Sequence, residues 1–177
     1  LACAVQPADR VTFLEIDPLV VRIARDTSFF SYLAECAASS RILLGDARLT
    51  GWSLRAEQFD VIVLDAFSSD AIPVHLLTIE AFREYAALLS PTGAIVTHVS
   101  NRYLTLQPVV NAGGAALDWL IARGDPSDEV VATPKSEHDV SHWVALTPSA
   151  TTHAEMLRAS GWSPVSRGSR EVRWTDR

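Results

Sequence analysis

Apolar residues fall into short unbroken runs, most closed by an acidic residue or a turn, with amphipathic stretches between them. Val11-Thr12-Phe13-Leu14-Glu15-Ile16 is a strand-like run ending in Asp17-Pro18, where Asp caps a helix and Pro fills its first turn. The helix carries Val20, Val21, Ile23 and Ala24 and fades at Asp26-Thr27-Ser28, and Phe29 to Ala38 forms a second helical segment. Arg41-Ile42-Leu43-Leu44-Gly45 is a short strand, and Leu49 to Gln58 reads as a surface connection. Val61-Ile62-Val63-Leu64 has the pattern of a strand buried on both faces and ends in Asp65. A loop from Ala66 to His75 leads to a helix that starts at Thr78 and Glu80 and runs through Leu89.

Farther on, Ser90-Pro91-Thr92-Gly93 predicts a turn and Ala94 to Val99 a buried strand containing His98. A helix is expected from about Leu106 to Ile121, across an unfavourable Gly113-Gly114 pair. Strands follow at Glu129–Thr133 and His142–Leu146, then a helix from Thr151 that Gly161 ends, and a terminal strand from Val165 to Trp174. Such alternation predicts an α/β fold with a mostly parallel sheet, formed as a single domain over residues 1–177 without repeat or linker. Ligands of such sheets sit at the carboxyl ends of the strands, where Glu15, Asp46 and Asp65 stand.

Composition narrows the partners. Hydrophobic residues make up 48% and charged residues 20% of the 177, enough for a packed core. Fifteen Lys and Arg against 21 Asp and Glu leave a net charge of −6, which argues against nucleic acid or an anionic membrane surface as a partner and allows a cationic small molecule. Cys3 and Cys36 lack zinc or redox spacing and are expected as buried free thiols in a reducing cytoplasm. No run is long enough to span a membrane. The apolar start at Leu1-Ala2-Cys3-Ala4-Val5, without Met or cap, suggests a native protein that extends beyond at least one end.

The strand-end acids suggest chemistry. Glu15 can accept hydrogen bonds from both hydroxyls of a ribose, and its alternative is to cap the next helix, a task that suits Asp17 better. Asp46 can accept from an exocyclic adenine amine while the small Ala47 lets a ring approach the backbone, although Gly-Asp is also a plain turn. Asp65 and Asp70, on one loop, can bind a cationic amine and take its proton, with Asp70 alternatively a local cap. His98 reads as a core or strand-end histidine, and His138 and His142 as loop into strand with no metal role. Ser68 and Ser69 lack the setting of a nucleophile elbow, so hydrolase chemistry is disfavoured.

In order and spacing, Phe13-Leu14-Glu15-Ile16-Asp17, Gly45-Asp46-Ala47 and the run from Phe59-Asp60 through Asp65-Ala66-Phe67-Ser68-Ser69-Asp70 resemble the spermidine synthase family. The resemblance is closest to spermidine synthase-like proteins, many fused to a transporter-like membrane region. It extends through Ile72-Pro73-Val74-His75 and His98-Val99-Ser100-Asn101-Arg102-Tyr103-Leu104, covering residues 10 to 110 well.

It implies a Rossmann-like, S-adenosylmethionine-dependent methyltransferase-type sheet whose first strand and Gly-rich loop would lie before Leu1. It also implies decarboxylated S-adenosylmethionine as co-substrate, and a polyamine acceptor. Glu15 would bind the ribose, Asp46 and Ala47 the adenine, Asp65 the reacting amine and Asp70 the polyamine's other charge, with Ile16 and Asp65 also among the nucleoside-binding residues. Established family members place the second acid directly after the serine pair that follows the first, whereas Ala66 and Phe67 are inserted here. The alternatives are a methyltransferase using intact S-adenosylmethionine and a non-catalytic nucleoside-sensing domain of a transporter-fused protein. A homodimer and a membrane region upstream are compatible with all three.

Overall fold

Asp17 and Pro18 start a helix as their chemistry dictates: in the computed structural model, the Asp17 carboxylate accepts the Leu19 N–H at 2.7 Å and Pro18 takes the first helical position. The structure describes residues 3, 6, 8–37, 40–66, 73–101, 103–125, 141–166 and 170–176. It divides into two compact units, residues 1–54 and 55–177.

In the first unit, β1 (Thr12–Glu15) and β2 (Arg41–Leu44) pair in parallel, with Glu15 opposite Leu44. They are joined through α1 (Pro18–Arg25) and α2 (Tyr32–Cys36). Arg22 and Arg25 lie in the last turn of α1, where they complement the helix dipole. The expected surface connection after β2 is instead helical: Asp46 caps α3 (Ala47–Gly51), a 3₁₀ turn follows over Trp52–Leu54, and Gly51 and Leu54 are buried.

The cysteines correct a second expectation. Cys3 and Cys36 are joined as a disulfide, Cys3 is exposed, and neither is a buried free thiol. The fold returns the end of α2 to the segment before β1, with the two Cα atoms 4.6 Å apart, a proximity invisible in a sequence separation of 33. The free-thiol argument for a reducing compartment falls with it.

In the second unit, β3 (Phe59–Leu64), β4 (Leu89–His98), β6 (Trp143–Thr147), β5 (Leu120–Gly124) and β7 (Trp162–Pro164) form one sheet in that order. Among the described residues of this unit only β3 and β4 run parallel; β6 enters between β4 and β5 against both, and β7 is antiparallel to β5. This sheet is therefore mixed and not mostly parallel. Helices α4 (Ile79–Ala86), α5 (Gln107–Ala116) and α6 (Ala150–Met156) complete the unit. Its core is Phe82, Ile95, Leu106, Val110, Val144 and Leu146, all closed to solvent.

Other boundaries differ for local reasons. Ser90–Gly93 is a bulge inside β4 and not a turn: the register jumps from Phe59 opposite Leu89 to Val61 opposite Ala94, and the Ser90 hydroxyl donates to Asp60 at 3.1 Å. Helix α5 stops at Ala116 because Asp118 adopts a left-handed φ of 56°, letting Trp119 N–H reach Gly114 O and Asp118 N–H reach Ala115 O. Strand β5 then begins where continued helix is expected. Among the described residues β3 pairs with β4 alone, and its Val61 and Val63 are exposed where burial on both faces is expected. The terminal strand lies earlier than expected, at β7, and the described tail docks through Val172 N–H to Pro108 O and Ile79 N–H to Trp174 O. The strand expected at 129–133 lies outside the described residues. Among the described residues no helix is long and apolar enough to cross a membrane.

Candidate functional site

In the first unit the carboxyl ends of β1 and β2 are tied by Gly45 N–H donating to Glu15 O at 2.9 Å, which brings Glu15, Ile16, Asp46 and Ala47 to one edge. Glu15 is half-buried, and its Oε1 accepts the Asp17 N–H at 2.9 Å; Oε2 has no partner among the described residues. Asp17 is the helix cap, so capping does not use Glu15 up. Asp46 accepts from Arg48 and Leu49 N–H through Oδ1, so it caps α3 in addition to any role toward a ligand. Gly45 makes the approach with a φ of 143°, and a Cβ there would collide with the Thr50 hydroxyl. Ile16 is 68% exposed beside the two acids, an apolar surface suited to a ring or sugar face. A carboxylate with one uncommitted oxygen can accept from a hydroxyl or amine donor, and the exposed Ile16 beside it offers apolar contact.

In the second unit Asp65 directly follows β3 and its side chain is about half exposed, at 48%. The pairing of Leu64 with Thr97 sets Asp65 beside His98, the last residue of β4, and His98 is opposite Trp143 of β6. His98 Nδ1 lies 3.0 Å from Asp65 Oδ1, an ion-pair distance whose angle falls short of an aligned hydrogen bond. Nε2 is buried with no hydrogen-bond partner among the described residues, and the ring centroid is 4.8 Å from that of Trp143. His98 does stand at a strand end, but its ring nitrogens are not satisfied as a structural histidine's would be.

A second acid–histidine pair occupies the same sheet edge: Asp125 is 2.8 Å from His142 Nδ1 and 2.6 Å from Arg123. The segment after His98 is tied down locally. Ser100 Oγ accepts the His142 N–H, and Asn101 Oδ1 accepts from Tyr103 and Leu104 N–H. Among the described residues no group of histidines, cysteines and carboxylates could hold a metal ion. Asp70 lies outside the described residues. The Asp65–His98 contact is absent from the sequence-based reading; the signal for it is that each residue ends a run of consecutive strands.

A Rossmann-like α/β fold of the S-adenosylmethionine-dependent methyltransferase type is what these strands and helices define. The chain superposes on human methyltransferase-like protein 13 in complex with SAH with a TM-score of 0.59, at 19% identity, over 84% of this chain and 68% of that one. It also superposes on a spermidine synthase in complex with the transition state analogue AdoDATO with a TM-score of 0.57, at 14% identity, over 79% of this chain and 47% of that one. The fold is thus one shared with spermidine synthases as well as methyltransferases. In sequence the chain is 35% identical over 94 residues to a polyamine aminopropyltransferase of Vibrio vulnificus (strain CMCP6), covering 52% of this chain and 30% of that protein. The chain thus spans under a third of this relative's length. No family model matches.

Proposed function

We propose that this chain is an aminopropyltransferase-like transferase that binds the nucleoside of decarboxylated S-adenosylmethionine and passes its aminopropyl group to a polyamine. The observation that supports this most is Asp65: a half-exposed carboxylate at a strand's carboxyl end, in a chain 35% identical over 94 residues to a polyamine aminopropyltransferase. In the reaction a neutral amine attacks the carbon beside the sulfonium. The C–N bond forms as the C–S bond breaks, methylthioadenosine leaves with the electron pair, and the new ammonium gives up a proton. A carboxylate serves this twice, by attracting the cationic acceptor and by accepting the proton that must leave before nitrogen can attack.

In this reading Asp65 anchors the reacting amine and Asp70 the acceptor's other charge. Glu15 and Ile16 take the ribose side of the nucleoside, and Asp46 with Ala47 the adenine.

Calorimetric titration of the chain with methylthioadenosine and with S-adenosylhomocysteine tests the reading. Tighter binding of methylthioadenosine is expected; preference for S-adenosylhomocysteine would replace aminopropyl by methyl transfer, and binding of neither would leave a non-catalytic role. Asp65→Asn is expected to lower turnover by on the order of a hundredfold or more with nucleoside affinity kept. Glu15→Gln should chiefly weaken nucleoside binding, and equal losses of turnover and affinity in Asp65→Asn would contradict the assignment.

A further inference from the structure

We propose that His98 is the positioning residue for Asp65, fixing its carboxylate toward the acceptor amine; this rests on the role given to Asp65 above. A half-exposed aspartate at the end of β3 has free rotation about its side-chain bonds unless something holds it. The structure supplies one holder on the neighbouring strand. Register puts His98 beside Asp65, and Nδ1 stands 3.0 Å from Oδ1. On its other side the imidazole lies against the Trp143 indole with an interplanar angle of 34°, so the ring itself is braced by the sheet.

The same surroundings select the tautomer of the neutral ring. With the proton on Nδ1, the N–H faces the carboxylate and the buried Nε2 keeps only a lone pair. With the proton on Nε2, a buried N–H has no acceptor among the described residues while the Nδ1 lone pair faces a carboxylate oxygen. Both terms favour Nδ1–H. His98 Nδ1–H therefore faces Oδ1 across the 3.0 Å contact, and Oδ2 is left for the amine.

The test uses the full chain in two readouts. Long-range ¹⁵N NMR of the histidine rings should show the Nδ1–H tautomer for His98, and Asp65→Asn should shift that tautomer balance; an Nε2–H ring, or one indifferent to Asp65→Asn, overturns the pairing. Turnover is then followed as methylthioadenosine release from decarboxylated S-adenosylmethionine, with putrescine as the probe amine. His98→Phe keeps a ring against Trp143 but has no donor, and should lower kcat on the order of ten- to a hundredfold with nucleoside affinity unchanged. His98→Asn, which restores an N–H near the Nδ1 position, should recover most of that loss. Equal kcat in wild type and His98→Phe, or no rescue by His98→Asn in a protein that melts normally, overturns the positioning role. A wild-type chain without turnover overturns the transferase reading and the role toward an amine with it, and the tautomer signal still decides the pairing separately.

Discussion

Between residues 55 and 177 the side chains of Phe82, Ile95, Leu106, Val110, Val144 and Leu146 are sealed from water. Between 1 and 54 only Ala37, Gly51 and Leu54 are buried among the described residues, while Leu19, Val20 and Ile23 of α1 and Phe29, Phe30 and Leu49 are exposed. The first unit is held by local devices: a covalent bridge, two aspartate caps and one short parallel strand pair. The second is held by burial of apolar surface. Of the proposed roles, the nucleoside contacts fall on the locally held unit, and the amine contact on the unit with a core.

Variants can break this contrast. The largest effect is expected from Phe82→Ala, which removes a fully buried ring: about 3–5 kcal/mol off the denaturant stability of the second unit, followed by tryptophan fluorescence. A loss below about 1 kcal/mol would mean that the core there is not what holds it. Next is Cys36→Ser or reduction of the bridge, worth about 4 kcal/mol for a loop of this length. Hydrogen exchange should then accelerate in β1 and β2 and stay unchanged in β4 and β6; uniform acceleration would erase the distinction. Asp17→Ala and Thr78→Ala each remove a helix cap at about 1 kcal/mol. The first should fray α1 alone, and the second should lower the melting of the whole second unit, because α4 carries Phe82 and Tyr85 into its core.

The smallest effect is electrostatic. The Ser28 hydroxyl and backbone N–H donate to Asp26 and hold its carboxyl below the ordinary value. A lowered folded-state value favours the fold above the ordinary carboxylate range, and that favour is lost as pH falls through the lowered value. Ser28→Ala should move the Asp26 midpoint up in an NMR titration; an unmoved midpoint would discard the hydroxyl as the cause.

Strand and helix starts were legible wherever a local rule decides them. Asp17-Pro18 and Thr78 each stand at the start of the helix expected there, and the apolar runs at 12–15, 41–44 and 94–98 are strands; the last helix starts at Ala150 under a Ser149 cap, slightly ahead of the expected Thr151. What sequence hid was set by distant neighbours. Pro91-Thr92-Gly93 has turn chemistry, but Thr147 and Thr152 hydroxyls donate to Gly93 O and Thr92 O and keep the segment in the sheet. The end of α5 depends on an aspartate in a left-handed position that glycine usually fills. The edge acids Glu15, Asp46 and Asp65 could be picked out because each closes a strand, whereas the His98 contact needed the β3–β4 register.

Gly113 and Gly114 give that dependence on neighbours a practical consequence. In an isolated helix each would be an obvious position for alanine, with a gain of about 1 kcal/mol. In α5 a methyl at 113 would overlap the Phe82 ring, and one at 114 would press on Leu146 and Ile121. Thermostabilisation guided by helix propensity would therefore push α5 away from α4 at 113 and away from the sheet at 114.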